Sequence, residues 1–249
     1  MKKSITLPAL VLSALIYESQ ATAITDTLNV PPFGKVFIYR KSISPGKVAI
    51  MISGDGGWKY GVVDFAESFS RENSLVIGVD ILRYIRTLKQ MPGECIELAA
   101  DFINLATVVE KQYDFPEYTA PVVMGYSSGA TMVYAILAQA VPSTFAGGIS
   151  LGFCSDLRLP RSPCKGNGLI AEADSTGKIF FLQPNARLGS RWIVLHGKVD
   201  KVCKYSETAE FVNKTSCAEL ITLPDVGHGF AKQSDFMPQW KEAFNRLTE

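Results

Sequence analysis

Three residues have the types and the order that acyl transfer by a serine nucleophile requires. Ser127 lies in the middle of residues 125–129, GYSSG, which fit the pattern G-x-S-x-G. Asp200 and His228 follow it along the chain. A serine hydroxyl becomes nucleophilic when a histidine takes its proton and a carboxylate orients that histidine. The order Ser…Asp…His therefore predicts a catalytic triad of Ser127, Asp200 and His228.

A strand, a tight turn and a helix are needed to present Ser127. Residues 121–124 form a short apolar run that predicts a buried strand, and residues 130–137 have apolar side chains at helical spacing. A side chain at Gly125 or Gly129 would crowd the junction between the two elements. We therefore interpret the segment as a nucleophile elbow, with Ser127 on a strained turn.

The other two members of the predicted triad also follow strands. Residues 191–197 and 219–223 each read as a strand, and the loops after them carry Asp200 and His228. This arrangement is typical of the α/β-hydrolase fold, in which a mostly parallel sheet has helices on both faces. The sequence predicts that fold over residues 24–249, as one domain.

Two residues compete for roles in the triad. Asp156 also follows a strand, predicted over residues 145–151, and is an alternative acid. Asp200 is preferred because it directly precedes the unit that carries the histidine. His196, one of only two histidines, ends a strand and is interpreted as a packed core residue.

A glycine-rich loop follows the strand predicted over residues 47–53. This loop is GDGGW, residues 54–58, and includes Trp58. It is either a tight turn alone or the loop that lends a backbone N–H to an oxyanion hole. We favour the second interpretation, with the N–H of Ser128 and one N–H of Gly56 or Gly57 as donors. Asp55 would then contact substrate or organise the loop.

A second candidate for the rim of the site is Asp80, which ends the strand predicted over residues 74–79. Arg83 and Arg86 follow it in a predicted loop. Side chains at the carboxyl ends of parallel strands often contact ligands, so Asp80 and Arg83 are rim candidates. The alternative is an ordinary solvated loop.

The rest of the chain supplies further elements and one insertion. Residues 154–190 are rich in Pro, Gly and Asn and replace a simple helix, so we expect this insertion to cover the active site. The other patterns predict a strand over 36–40, helices over 61–72, 94–111 and 205–214, and a closing helix marked by Met237, Trp240, Phe244 and Leu247.

The first 23 residues have the pattern of a secretory signal peptide. Lys2 and Lys3 form a positive start, residues 7–17 are apolar, and residues 21–23, Ala-Thr-Ala, fit a cleavage site. The apolar run is too short for a bilayer span, which needs about 20 residues. We therefore expect cleavage after Ala23 and a periplasmic protein.

Removal of this segment leaves a balanced charge. The 25 basic and 24 acidic residues lose Lys2, Lys3 and Glu18, leaving 23 of each. No basic block remains to neutralise phosphates, which argues against direct binding of nucleic acid.

Export also affects how the five cysteines are interpreted. An oxidising compartment favours disulfides, and Cys154–Cys164 with Cys203–Cys217 is one pairing, although sequence alone leaves the connectivity open. Their irregular spacing argues against zinc. We expect neither a metal nor an organic cofactor.

Four motifs together resemble a known family. They are residues 52–58 (ISGDGGW), residues 76–84 (VIGVDILRY), residues 125–129 and Gly227-His228. The chain resembles the bacterial virulence protein family VirJ and the related domain of AcvB, over essentially the whole mature chain. The resemblance implies a periplasmic protein of plant-associated bacteria that supports transfer of T-DNA and effector proteins by a type IV secretion system. It also implies hydrolysis of lysyl-phosphatidylglycerol or a related ester, and hence contact with a membrane surface.

Two other functions are compatible with the same residues. A non-catalytic accessory protein would use the hydrolase fold to bind type IV secretion components or exported proteins. A small-molecule esterase or peptidase would share the triad without the membrane substrate. Labelling of Ser127 separates enzyme from accessory protein, but the sequence does not rank the substrates.

Overall fold

A computed structural model describes residues 24–249, so the signal peptide predicted for residues 1–23 lies outside the described part. Its strands are β1 (Ile24–Val30), β2 (Gly34–Arg40), β3 (Lys47–Ile52), β4 (Ser74–Val79), β5 (Val122–Tyr126), β6 (Gly147–Leu151), β7 (Asp156–Arg158), β8 (Ala171–Ala173), β9 (Ile179–Leu182), β10 (Trp192–Gly197) and β11 (Ala218–Leu223). Its α-helices are α1 (Val63–Ser70), α2 (Ile81–Leu88), α3 (Leu98–Gln112), α4 (Ser128–Gln139), α5 (Tyr205–Asn213) and α6 (Met237–Thr248).

The main sheet is mostly parallel, so the loops that carry the predicted site residues lie at one edge. Its order is β1-β2-β4-β3-β5-β6-β10-β11, and the strands from β4 to β11 in this order run parallel. The first two strands are antiparallel to their neighbours. Parallel strands end at the same edge, so the loops after β3, β5, β10 and β11 meet there.

Helices cover both faces of the sheet because its central strands are apolar on both sides. In β3, Val48, Ile50 and Ile52 pack into the core that includes residues of α2, α3, α4 and α5, whereas Ala49 and Met51 pack with α1 and α6. Such a strand reads as a continuous apolar run rather than an alternating one. The predicted parallel sheet with helices on both faces is confirmed.

The loop predicted after Asp80 is wrong, because a helix begins there. The Asp80 carboxylate accepts the N–H groups of Leu82 at 3.0 Å and Arg83 at 3.2 Å, so Asp80 is the N-cap of α2. Ile81, Tyr84 and Leu88 form the buried side of this helix. The spacing of these three residues also explains why the helix packs on the sheet.

The insertion contains a small sheet. Strands β7, β9 and β8 pair antiparallel in that order. Leu157, Phe180 and Leu182 are buried in the same core as α3 and α4, so much of the insertion packs on the domain. Its first residues border the predicted site, as the next subsection describes.

The suggested cysteine pairing is wrong. Cys95 is bonded to Cys164 and Cys154 to Cys203, whereas Cys217 is unpaired in the described chain. Both bonds join segments distant in sequence, which local spacing does not reveal. The Cys95 segment also pairs with the insertion through Ile96 and Pro163, which explains why α3 begins at Leu98 rather than near residue 94. Two disulfides are typical of a protein folded in an oxidising, exported environment.

Within residues 24–249, none of the helices has both the length and the apolar character that a membrane crossing requires.

A buried carboxyl group on α3 makes stability depend on pH. Glu110 is 3% exposed, and its Oε2 accepts the Thr119 N–H at 2.9 Å, while Oε1 has no partner within residues 24–249. Burial raises the pKa of Glu110 from its ordinary 4.5 to about 7. Between these two values the folded protein holds a proton that the unfolded chain has released. The free energy of unfolding therefore falls as pH rises through this interval.

We predict that Glu110→Gln removes this loss. The variant should be close to wild type in stability near about pH 5 and more stable than wild type near about pH 8, because the wild-type group must ionise while buried. Urea unfolding at both pH values measures the difference, and Glu117→Gln, at an exposed neighbouring position, is the control. Equal differences at the two pH values for Glu110→Gln would contradict the prediction.

Candidate active site

Ser127 lies on a strained turn between β5 and α4. Its φ of +55° and ψ of −121° are unusual for a residue other than glycine. A Cβ on Gly125 would lie 2.3 Å from the Gly129 carbonyl oxygen, and a Cβ on Gly129 would lie 2.4 Å from that of Ile52. Both glycines are therefore needed for the strand and the helix to meet so closely. This is the geometry expected of a nucleophile elbow.

The structure joins the three predicted residues by hydrogen bonds. The Ser127 Oγ lies 2.9 Å from the His228 Nε2, and the His228 Nδ1 lies 2.8 Å from the Asp200 Oδ2. The carboxylate of Asp200 is fully buried, whereas 16% of the His228 side chain is exposed. The imidazole thus contacts the buried Asp200 through Nδ1 and Ser127 through Nε2.

Asp200 is fixed by its own loop, which follows β10. Its Oδ1 accepts the N–H groups of Val202 at 2.8 Å and Cys203 at 3.0 Å, leaving Oδ2 for His228. Asp156, the alternative acid, lies in β7 on the wall of the pocket described below, and no hydrogen bond joins it to His228 within the described chain. Geometry therefore favours Asp200.

His196 is buried behind this pair. Its Nε2–H donates to the Cys203 carbonyl at 2.9 Å, and the same nitrogen lies 3.7 Å from the Asp200 Oδ2. Burial lowers the pKa of His196, which favours the neutral imidazole. The interpretation of His196 as a core residue is consistent with this position, although it contacts the backbone that holds Asp200.

The glycine-rich loop lies beside Ser127, but one of its two expected oxyanion donors is not free. The Ser128 hydroxyl donates to the Asp55 carboxylate, so Asp55 organises the junction between this loop and the elbow. The Gly57 N–H donates to the Gly54 carbonyl at 2.9 Å and closes a turn, so the expectation that it faces an oxyanion is wrong. Gly56 borders a neighbouring pocket with Tyr60.

Trp58 is not a substrate contact. It is 3% exposed, its Nε1–H donates to the Tyr39 hydroxyl at 3.2 Å, and its ring stacks on Phe37 at 5.1 Å between centroids. A Cβ on Gly78 would lie 2.2 Å from the indole, so the strand makes room for this ring. The loop turns this indole into the core, so Trp58 packs the loop against the sheet and is not one of the substrate contacts.

Asp80 is likewise a structural residue. Its Oδ1 caps α2, and a Cβ on Gly57 would lie 3.5 Å from each of its carboxylate oxygens. Asp80 thus lies next to the glycine-rich loop and outside the lining of the pocket described below, which contains Ser127. It supports the loop, and a role at the rim stays a prediction.

A pocket of about 200 Å³ opens beside Ser127. Its charged lining consists of two carboxylates, those of Asp55 and Asp156, and the guanidinium of Arg158. Val202 also borders it and is 69% exposed. The pocket is therefore small and lined mostly by polar side chains.

Two clusters of potential metal ligands occur among the described residues. They are Cys95, Glu97 and Cys164, and Asp200, Cys203 and His228. Every cysteine in them belongs to a disulfide, so its sulfur is not a thiolate ligand. Neither cluster has the composition of a metal centre.

Comparison with known families identifies part of the chain. Residues 46–146 match the family model for bacterial virulence protein (VirJ). The resemblance to VirJ is confirmed for this segment. The segment contains the glycine-rich loop and the elbow, whereas Asp200 and His228 lie beyond it, so the match is narrower than the resemblance over the whole mature chain.

Solved structures similar to the chain are α/β hydrolases. A Klebsiella pneumoniae protein described as a dienelactone hydrolase is 14% identical, with a TM-score of 0.65 over 92% of this chain and 100% of its own. An esterase domain from Rhodothermus marinus is 14% identical, with a TM-score of 0.59 over 91% and 98%. A lidless α/β serine hydrolase from Xanthomonas campestris is 18% identical, with a TM-score of 0.55 over 90% and 94%. At these identities the likeness establishes the α/β-hydrolase fold alone. No curated protein matches the sequence.

Two further contributors to the site around Ser127 have no signal in the sequence. The Tyr126 hydroxyl donates to the His228 carbonyl at 2.9 Å, and burial raises the pKa of Tyr126, which keeps this donor protonated. Gly54 lies against the nucleophile, since a Cβ there would be 3.2 Å from the Ser127 Cβ. Both contacts join distant segments, so only the folded chain reveals them.

Proposed function

We propose that this protein is an exported serine ester hydrolase in which Ser127 is the nucleophile, His228 the general base and Asp200 the residue that orients it. The observation that carries the proposal is the continuous hydrogen-bonded chain from the Ser127 Oγ through His228 to Asp200, with 2.9 and 2.8 Å between donor and acceptor. The strained elbow supports it, because that conformation is costly and serves to expose the hydroxyl.

In this mechanism the Ser127 Oγ attacks an ester carbonyl while His228 Nε2 takes its proton. The imidazolium is stabilised by Asp200 and then returns the proton to the leaving alcohol. Water, deprotonated by His228, next attacks the acyl-enzyme and releases the acid. Every step is proton transfer or acyl transfer, which these side chains carry out themselves.

The negative oxygen of the tetrahedral intermediate needs donors beside Ser127. The first N–H groups of α4 have no acceptor within the helix, and that of Ser128 directly follows the nucleophile. The second donor is an N–H from residues 54–56, since that of Gly57 is occupied and Gly54 lies against Ser127. Donors held in advance for a developing charge lower the barrier most.

The substrate class we favour is an aminoacyl ester of a phospholipid, of which lysyl-phosphatidylglycerol is the example implied by the VirJ resemblance. The carboxylates of Asp55 and Asp156 in the pocket beside Ser127 suit an ammonium group on the acyl part. The loop that follows β10 exposes Lys198, Val199, Lys201 and Val202 at the same edge of the sheet. Exposed lysines and apolar tips together suit an anionic lipid surface.

The biological role we propose rests on the family match. Cleaved after Ala23, the protein would act in the periplasm and support transfer of T-DNA and effector proteins by a type IV secretion system. A non-catalytic contact with secretion components or exported proteins is the competing role. Transfer by a folded but inactive variant would favour that role.

We predict that Ser127→Ala abolishes ester hydrolysis. Loss of a triad nucleophile lowers kcat by about 10⁶, whereas Ser128→Ala should stay within about tenfold of wild type because it keeps its backbone N–H. Initial rates on a p-nitrophenyl ester measure both variants, with circular dichroism to verify folding. Substantial turnover by folded Ser127→Ala would refute the assignment of the nucleophile.

The lipid surface has its own test. Lys198→Gln/Lys201→Gln should weaken binding to vesicles of phosphatidylglycerol and lysyl-phosphatidylglycerol by about 30-fold, from about 1 kcal/mol per lysine, and leave hydrolysis of a soluble ester unchanged. The matched control is Lys111→Gln/Lys165→Gln, which removes the same charge elsewhere. Lys111 lies in the last turn of α3, and Lys165 lies near the C-terminal end of α4, opposite Ser127. Equal binding by the two double variants would exclude docking through this loop.

A further inference from the structure

One disulfide lies directly against the proposed catalytic pair. The Cys203 Sγ, a carboxylate oxygen of Asp200 and a ring nitrogen of His228 all lie within 4.8 Å of one another. Its partner, Cys154, borders the pocket that contains Ser127. The other disulfide, Cys95–Cys164, lies outside the lining of that pocket. The two bonds therefore differ sharply in their relation to the site.

Cys203 is held at three points, and one of them is Asp200. Its N–H donates to the Asp200 Oδ1 at 3.0 Å, its carbonyl accepts the His196 Nε2–H at 2.9 Å, and its sulfur is bonded to Cys154. The residues on either side of Cys203, Val202 and Lys204, are exposed. The bond and the histidine thus anchor a segment in which the residues on either side of Cys203 are exposed.

The far end of the bond is anchored to the helix that follows the nucleophile. The Cys154 carbonyl accepts the hydroxyl of Thr131, on α4, at 2.7 Å. The neighbouring Phe153 carbonyl accepts the hydroxyl of Thr208, on α5, at 2.9 Å. The disulfide therefore connects the loop of Asp200 with α4, whose first turn carries the elbow.

His196 completes this support. It is fully buried, its Nε2–H is used by the Cys203 carbonyl, and burial lowers its pKa, which disfavours a charged His196 beside Asp200. The groups that face the His228 ring include Asp200, the Ser127 hydroxyl, the Cys203 sulfur and the Tyr126 ring, the last at 5.9 Å between centroids. Asp200 is the only carboxylate among these four.

We propose that the Cys154–Cys203 disulfide and His196 are positioning residues, which hold the Cys203 backbone so that Asp200 stays in register with the His228 imidazole. This inference rests on the proposed ester hydrolysis. Without the bond the loop of Asp200 relaxes, and the imidazolium loses its close anion. Misplacement of a supporting group by about 1 Å costs about 10²-fold in rate.

The test compares Cys154→Ala/Cys203→Ala with Cys95→Ala/Cys164→Ala, with Cys217→Ser in both to prevent thiol exchange. The two native bonds span 49 and 69 residues, so their removal relaxes the unfolded chain to a similar extent. Both variants should lose thermal stability. Only Cys154→Ala/Cys203→Ala should lose about 10²-fold in kcat, with little change in KM. Only in that variant should the acid limb of the pH–kcat profile move to lower pH, because the imidazolium is less stabilised.

A second pair of variants covers a failure of the first variant to fold. His196→Gln keeps a donor towards the Cys203 carbonyl and should retain most of kcat, whereas His196→Phe should show the same loss and the same shift of the acid limb as removal of the bond. If the wild type is active but the two disulfide variants have the same kcat and pH profile, the inference is overturned and the proposed function stands. The same holds if His196→Gln and His196→Phe have the same kcat and pH profile. A wild type without esterase activity overturns the proposed function and the inference with it.

Discussion

The close contact between β5, α4 and β3 is the constraint on which the site depends. Gly125 and Gly129 let the backbones approach so closely that a Cβ at either position would lie within 2.4 Å of a carbonyl oxygen. Ser127 is fixed between them by its own backbone, since its N–H donates to the Leu151 carbonyl at 2.9 Å and its carbonyl accepts the Ala130 N–H at 2.8 Å. Burial of α4 from Gly129 to Gln139 and the central position of β5 offset the strain of its positive φ.

The acid and the base reach Ser127 because parallel strands end at one edge of the sheet. The carboxyl ends of β5, β10 and β11 bring the three loops together, although Asp200 and His228 are 73 and 101 residues from the serine in sequence. Each loop is then tied locally, Asp200 by two N–H groups and His228 through the Tyr126 hydroxyl. The disulfide to Cys203 ties the acid loop to Cys154. An oxidising, exported environment would favour this bond, which lies beside the proposed catalytic residues.

Local sequence patterns predicted the elbow and the central strands because their signals are local. The GYSSG turn and the apolar run of β3 are properties of a few consecutive residues. The signals for helix α2 are equally local, because Asp80 is a good N-cap and Ile81, Tyr84 and Leu88 have helical spacing. A loop prediction after Asp80 leaves out this cap and is therefore wrong.

Other features depend on partners far away in the chain. The small sheet of the insertion has strands of three or four residues, too short for a periodic signal. Trp58 is a loop residue in sequence and a core residue in space, because Gly78 leaves room for it. The disulfides follow from three-dimensional neighbours in the same way, so spacing suggested the wrong pairs.

The central claim is that the Ser127 hydroxyl is the activated nucleophile, and covalent labelling tests it most directly. A fluorophosphonate should form a bond between the Ser127 Oγ and phosphorus as fluoride leaves, with His228 taking the proton. Peptide mass spectrometry should locate the adduct on Ser127 in the wild type, and His228→Ala should slow its formation by orders of magnitude. An adduct confined to another residue, or a folded protein that forms none, would contradict the account.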